Sequence, residues 1–171
     1  EVMHDWPREV DAEVFAEACA LFEGEHDFTN MCKLEKRKDP MRTIDECIPW
    51  LAPNGRVIGI SVRSRAFLWN QVRRMASAIS GAVSGRNTLD DIRVALNSPE
   101  DPADLGRSPS DGLVLWSIEN PYSDGMTDGS FPDTSWFSEP PSDMRGHTRW
   151  LALARLEMAT LLEREWLKRL N

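Results

Sequence analysis

Residues 56–83 read RVIGISVRSRAFLWNQVRRMASAISGAV, and their hydrophobic period changes in the middle. In the first part Ile58, Ile60 and Val62 alternate with their neighbours, which predicts a β-strand. Over residues 66–83 the apolar side chains recur every three or four positions, which predicts a long helix. A strand is therefore expected to lead almost directly into a helix.

A second strand is predicted just upstream, where residues 42–51 alternate in the same way. The turn residues Pro53, Asn54 and Gly55 separate the two strands, so the pair reads as a β-hairpin. A hairpin followed by helices indicates an α+β fold. We expect an antiparallel β-sheet packed against helices, with a C-terminal helical extension.

Other elements follow from local signals. Asp11 is expected to cap a helix that Gly24 ends, and Thr88 with Asp91 resembles a capping box that starts a short helix. Residues 26–30 are expected to form a loop.

The second half of the chain is less regular. Residues 112–118 (GLVLWSI) predict a buried strand, and residues 148–170 predict a helix. We expect a domain over residues 1–120, an irregular linker over 121–147, and a final helix over 148–171 that packs on the domain.

Composition narrows the class of protein. The 171 residues are 41% hydrophobic and 28% charged, as in ordinary globular proteins, and no apolar run approaches the roughly 18 residues that would cross a bilayer. We expect a soluble protein of the cytoplasm.

The chain opens on Glu1, as expected for a processed protein or for a piece of a longer one. Cys19, Cys32 and Cys47 have no zinc-site spacing and are expected to be buried, reduced thiols.

The charge is unevenly distributed. The net charge is −8, yet residues 33–93 hold twelve basic and six acidic residues. A basic centre between acidic ends is typical of a face that meets an anion, although a patchy surface without a partner is the alternative.

The sharpest local feature is FLWNQVRRM at residues 67–75. On a helical wheel that begins at residue 66, Trp69 and Arg73 lie one turn apart, away from the apolar stripe. Two adjacent arginines, Arg73 and Arg74, beside an aromatic side chain suit a phosphate, a carboxylate partner or a stacked base.

Four segments resemble motifs of the TruA family of tRNA pseudouridine synthases, in that family's order. They are FEGEHDFTN at 22–30, RTI at 42–44, FLWNQVRRM at 67–75 and PSDGLVL at 109–115. Trp69 stands where the family has histidine or tyrosine. The resemblance implies the C-terminal half of an enzyme that isomerises uridine in the anticodon stem-loop of tRNA, without a cofactor or a metal.

The resemblance also implies a division of labour. The family's nucleophilic aspartate lies in the N-terminal half, in an Arg-Thr-Asp-x-Gly-Val motif that this sequence does not contain, so this chain alone is expected to be inactive. Asp45 follows Arg42-Thr43-Ile44 but is shifted by one place, and we reject it as the nucleophile. The expected partners are the tRNA anticodon arm, the N-terminal half of the same enzyme and, as a further option, a second copy of the chain.

Two residues are catalytic candidates by resemblance. Arg73 matches the arginine that pairs with the catalytic aspartate, against the alternative of a solvated helix arginine. Leu113 matches the leucine that packs against the target uracil, against the alternative of plain core packing. The candidates for RNA binding are His26, Asp27, Lys36, Arg37, Lys38, Arg63, Arg65 and Arg74. Asp27 also reads as a turn residue that caps the next segment.

Two other classes of function remain open on the sequence. The chain could be a non-catalytic RNA-binding or dimerisation module of the same fold, or a protein-interaction domain whose basic centre meets an acidic partner.

Overall fold

The computed structural model describes residues 9–118 and 131–169. The chain divides into two compact units, the first ending at Pro109 and the second beginning at Ser110. Among the described residues, the first unit contains a three-stranded antiparallel sheet and three α-helices, and the second contains one long helix. The predicted α+β fold is confirmed.

The sheet has the strand order β1 (Gly24–Asp27), β2 (Met41–Leu51) and β3 (Val57–Ser64). The predicted hairpin is therefore confirmed as β2 and β3. At its turn Gly55 has a φ of 84°, a left-handed conformation that glycine adopts without strain. The N–H of Ala52 donates to the carbonyl of Arg56 at 2.8 Å and closes the hairpin end.

The three helices of the first unit are α1 (Ala12–Ala20), α2 (Gln71–Ser84) and α3 (Leu89–Asn97). The predicted caps are confirmed. The Asp11 carboxylate accepts hydrogen bonds from two N–H groups in the first turn of α1. Thr88 and Asp91 form a reciprocal capping box on α3. The caps satisfy helix N–H groups that would otherwise lack partners.

Within the first unit, the three α-helices and the sheet share one apolar core. Each large side chain that is buried completely contributes about 1.5–3 kcal/mol to folding. Those with almost no exposed surface are Phe22, Phe28, Met31, Ile44, Met75, Ile79 and Ile92. Cys19, Cys32 and Cys47 are buried free thiols, as expected. Burial raises the pKa of the Cys32 thiol.

The predicted loop over residues 26–30 is wrong in its first half. β1 covers Gly24–Asp27, pairing His26 with Arg42 on β2, and a short 3₁₀-helix follows at Thr29–Met31. Four residues carry too little alternation to predict a strand. The segment is a strand because its backbone pairs with β2. Gly24, with a φ of 96°, allows the chain to turn tightly from α1 into this strand.

Helix α2 begins at Gln71, five residues later than predicted. Asn70 adopts the left-handed conformation, with a φ of 64°, and so ends the preceding turn. The Gln71 side-chain oxygen accepts the N–H of Leu68 at 2.8 Å and holds that turn closed. Trp69 therefore lies outside the helix, and its predicted place on one helix face with Arg73 is wrong.

The buried strand predicted at residues 112–118 is also wrong. Residues 113–118 adopt no regular secondary structure, and the side chains of Leu115 and Ile118 are 67% and 73% exposed. A strand needs a neighbour for its N–H and C=O groups, and none of the described strands pairs with this segment. A run of apolar residues was therefore not sufficient to make this segment a strand.

The second unit is built around α4 (Met144–Arg169), which begins four residues earlier than predicted. Residues 131–143 are irregular and are fastened to α4 by side chains. The Ser138 hydroxyl donates to Glu157 at 2.5 Å, and the Trp150 indole N–H donates to the Ser138 carbonyl at 2.8 Å. Among the described residues no helix is long and apolar enough to span a membrane. The packing of the last helix on the domain stays a prediction, as do the boundaries at 120 and 147.

Candidate nucleic-acid interface

Arg73 lies in the first turn of α2 and is clamped by its surroundings. Its Nε donates to the Ser108 carbonyl at 2.7 Å, and its Nη1 donates to the Asn70 side-chain oxygen at 3.3 Å. The Ser108 N–H donates back to the Arg73 carbonyl at 3.0 Å. The guanidinium is half-buried, and no acidic side chain among the described residues forms an ion pair with it. These three hydrogen bonds hold the Arg73 side chain in one orientation.

The neighbouring arginine has a different environment. Arg74 Nη1 lies 2.9 Å from the Asp104 carboxylate, and the Arg74 side chain is only 22% exposed. The Gly106 N–H bonded to Asp104, together with the Arg74 charge, lowers the pKa of that carboxyl. Arg74 is therefore paired with a carboxylate within the chain, and its predicted role as a phosphate contact stays a prediction.

The loop that carries Ser108 is fixed along its length. The Ser77 hydroxyl on α2 donates to the Leu105 carbonyl at 2.9 Å. Buried Asn30 donates to the Asp101 carbonyl at 3.0 Å and accepts the Ala103 N–H at 3.1 Å. The clamp on Arg73 is thus part of a continuous set of hydrogen bonds between α2, the loop and the 3₁₀-helix.

The turn before α2 exposes aromatic side chains next to a cation. Phe67 and Trp69 are exposed, whereas Leu68 between them is buried. The Lys33 ammonium lies 4.0 Å from the centre of the Trp69 ring. Lys33 lies at the start of the basic segment over residues 33–93 and is not among the RNA-binding candidates predicted from the sequence.

His26 and Asp27 have local partners on β1. A ring nitrogen of His26 lies 2.9 Å from the Glu23 carbonyl, and the ring meets Phe28 edge-on at 6.1 Å. The Asp27 carboxylate accepts the Thr29 N–H at 2.8 Å, which is the turn-capping role weighed for it. Contact of either residue with RNA stays a prediction.

The remaining basic candidates are all exposed, but only some have free charges. Lys38 is paired with Glu35, and Arg63 lies 3.6 Å from Glu46. Three others form no ion pair among the residues that the structure describes: Lys36, Arg37 and Arg65. These three can attract phosphate with their full charge.

Leu113 lies in the second unit, whereas Arg73 lies in the first. Its side chain is 49% exposed, and its N–H donates to the Ser110 carbonyl at 3.0 Å in a turn. The alternative of plain core packing for Leu113 is therefore wrong in this structure. Its contact with uracil stays a prediction.

Asp45, rejected as a nucleophile from its sequence context, is exposed on β2, at the irregularity between Ile44 and Glu46. In the described ranges, no group of three or more His, Cys, Asp or Glu residues is arranged to hold a metal ion.

Sequence reasoning missed Asn30, Lys33, Asn70 and Ser108 as supports of this region. The signal at Asn70 was present, because asparagine tolerates the left-handed conformation that ends a turn. Ser108 gave no signal, since it acts through backbone groups that any residue possesses.

The fold and this arrangement define an α+β domain with a clamped, unpaired arginine and exposed cations. The sequence model of a family described as tRNA pseudouridine synthase matches residues 18–121, more than half of the chain. The chain belongs to the tRNA pseudouridine synthase family, and the resemblance noted in its motifs is confirmed.

Individual relatives agree with this assignment. The chain is 33% identical to tRNA pseudouridine synthase A of Thermococcus kodakarensis over 111 residues, which cover 65% of this chain and 40% of the relative. It is 32% identical to the protein of the same name from Agrobacterium fabrum over 115 residues, covering 67% and 42%. For Brucella ovis the identity is 33% over 113 residues, covering 66% and 44%. The chain thus spans less than half the length of these relatives.

Proposed function

We propose that this chain contributes the arginine-bearing half of an enzyme that converts uridine to pseudouridine in the anticodon stem-loop of tRNA. The observation that carries the proposal is the clamp on Arg73, which holds a half-buried guanidinium with no acidic partner among the described residues. A cation held in this way is ready to receive a carboxylate. Family membership supports the chemistry that this carboxylate would perform.

The reaction rearranges a nucleotide without changing its composition. The N1–C1′ bond of uridine breaks, the uracil turns and a C5–C1′ bond forms, while C5 loses a proton and N1 gains one. The aspartate that starts this chemistry lies outside these 171 residues in our proposal, because the sequence has no Arg-Thr-Asp-x-Gly-Val motif. Arg73 would keep that aspartate ionised and oriented. No cofactor takes part.

Other residues have supporting roles in the proposal. Leu113, with half of its side chain exposed, offers apolar surface to the target uracil without competing for its hydrogen bonds. The cationic side chains bind the tRNA backbone, which gives affinity without reading sequence. The unpaired Lys36, Arg37 and Arg65 contribute most, and the paired Lys38, Arg63 and Arg74 contribute less. His26 and Asp27 are the further RNA contacts of the proposal, although the Asp27 carboxylate does not attract phosphate. The enzyme would act in the cytoplasm, as a single copy or a homodimer.

Release of tritium from tRNA labelled at C5 of uridine tests the proposal. We expect none from the 171-residue chain alone, and release once a polypeptide carrying the aspartate motif is added. Arg73→Ala should then lower the rate by about 100-fold, as expected when one preorganised electrostatic group is removed. The matched control is Arg93→Ala, because Arg93 is a half-buried helix arginine already paired with Glu17 at 2.8 Å, and it should leave the rate unchanged.

Two results would contradict the proposal. Release of tritium by the chain alone would show that the aspartate is not supplied from elsewhere. An unchanged rate for Arg73→Ala would remove Arg73 from the reaction. If the combined polypeptides bind tRNA but release no tritium, the non-catalytic RNA-binding module becomes the better description, and its exposed unpaired cations favour that reading as second candidate.

A further inference from the structure

The turn at residues 67–70 holds an aromatic side chain out of the core. Leu68 is buried, whereas the Trp69 side chain on the next residue is 52% exposed. Single exposed aromatic residues are common and need no explanation. This one differs because the backbone around it is fixed.

Three features fix that backbone. The Leu68 N–H donates to the Gln71 side chain at 2.8 Å. The Lys33 N–H donates to the Trp69 carbonyl at 2.8 Å, across 36 positions of sequence. The left-handed Asn70 ends the turn, and its side chain also contacts Arg73. The indole is therefore presented on a rigid support, so that little entropy is lost when a ligand stacks on it.

One face of the Trp69 indole is already in contact with the Lys33 side chain. The Lys33 ammonium lies 4.0 Å from the ring centre, a cation–π geometry. Trp69 as a whole is still 52% exposed with Lys33 in this position, so a second ligand can reach the residue. Arg65, exposed and without an ion pair among the described residues, lies four positions before Trp69 in the chain.

The charge of Lys33 favours a nucleic acid over an apolar protein surface as the partner of Trp69. An apolar protein surface that covered Trp69 would also remove the Lys33 ammonium from water without a counter-charge, which is costly. An unpaired nucleotide satisfies both groups, because its base stacks on the ring and its phosphate meets the ammonium.

We propose that Trp69 is a stacking platform for an unpaired base of the RNA substrate, and that Lys33 binds a phosphate beside that base. This inference rests on the proposed function, since it takes RNA as the ligand. It assigns to Trp69 a contact with a base other than the uridine that reacts.

The test compares two substitutions in RNA binding. Trp69→Phe keeps an aromatic face, whereas Trp69→Leu keeps only apolar bulk. With a tRNA anticodon arm as the probe, Trp69→Leu should weaken binding by about 5- to 100-fold, the range for loss of one base–aromatic stack, while Trp69→Phe stays within about 3-fold of the unchanged chain. A blunt duplex of the same stem without its loop should show no difference between the two variants.

Two controls sharpen the assignment. Trp166→Leu removes a tryptophan that is 58% exposed on α4 and should not change the affinity. A series of arms with one abasic loop position each should contain one arm whose binding is as weak for the unchanged chain as for Trp69→Leu. At that position the two changes should not add, because they remove the same contact.

The outcomes separate this inference from the proposed function. If the unchanged chain binds the arm but Trp69→Leu binds equally well, the stacking site is wrong and the proposed function stands. Equal loss on the duplex and the arm would also overturn it, as would reduced association of Trp69→Leu with the aspartate-bearing polypeptide at unchanged RNA affinity. If the unchanged chain binds no RNA, both the inference and the RNA surface of the proposed function fail.

Discussion

At the scale of single residues, the orientation of Arg73 depends on a loop distant in the sequence. Its guanidinium is oriented by the Ser108 carbonyl, and that carbonyl is placed by a loop that lies against Ser77 of α2. Gly106 of this loop lies close to Ser77. It has a φ of 83°, and a Cβ added there would lie 2.7 Å from the Ser77 hydroxyl oxygen.

We expect Gly106→Ala to destabilise the fold by about 2–3 kcal/mol. The left-handed backbone accounts for about 1–2 kcal/mol, and displacement of Ser77 from its hydrogen bond adds about 1 kcal/mol. Urea denaturation gives the free energy of unfolding. Gly55→Ala is a matched control, because Gly55 has a φ of 84° and no atom within 4 Å of its added Cβ. Equal losses in the two variants would show that the approach of the loop to Ser77 is not tight.

At the scale of the elements, α3 shows how a local signal becomes a helix boundary. The Thr88 hydroxyl accepts the Asp91 N–H at 3.1 Å, and the Asp91 carboxylate accepts the Thr88 N–H at 2.7 Å. These hydrogen bonds to Thr88, its backbone N–H first, lower the pKa of Asp91. Aspartate serves here in place of the longer acidic side chain usual in a capping box.

The lowered pKa predicts how this cap depends on pH. A depressed native pKa stabilises the fold above the unfolded value of about 3.9, and the stabilisation is lost as the pH falls through the native value. Asp91→Ala should therefore be less stable than the unchanged chain at pH 7, and the difference should shrink as the pH falls below about 4. Thermal denaturation over pH 2–7 measures it.

Asp90→Ala is the control for this prediction. Asp90 lies in the same first turn and shares the favourable interaction with the helix dipole, but forms no capping hydrogen bond. A stability difference between Asp91→Ala and the unchanged chain that persists undiminished at pH 2 would show that the carboxylate is not the stabilising group.

At the scale of the whole molecule, the net charge hides the character of the central segment. The chain as a whole carries −8, yet the basic residues concentrate over residues 33–93. Several of them are neutralised by nearby carboxylates, as Arg93 is by Glu17. The charge that remains for an anionic ligand is therefore smaller than the residue count indicates.

The salt dependence of RNA binding should distinguish the free cations from the paired ones. Arg65→Ala should make the negative slope of log affinity against log salt shallower by about one, because one phosphate contact is lost. Arg93→Ala should leave the slope unchanged, since its charge is already paired. Titration of a tRNA anticodon arm at several salt concentrations measures both slopes. Identical slopes for the two variants would place Arg65 outside the RNA surface.

The sequence by itself determined the elements whose cause is local. Alternation with a Pro-Asn-Gly turn specified the β2–β3 hairpin, and the caps at Asp11 and Thr88 specified two helix starts. The motifs specified the family, because each is a short run of neighbouring residues. Such features can be predicted from a single sequence, because the interactions that cause them span only a few positions.

Tertiary structure alone decided the rest. β1 is a strand because it pairs with β2, whereas residues 113–118 pair with none of the described strands and form none. Arg73 is oriented by a carbonyl 35 positions away, and Trp69 meets Lys33 across 36 positions. These contacts use backbone groups or exposed side chains that carry no periodic signal, so only the folded chain brings them together.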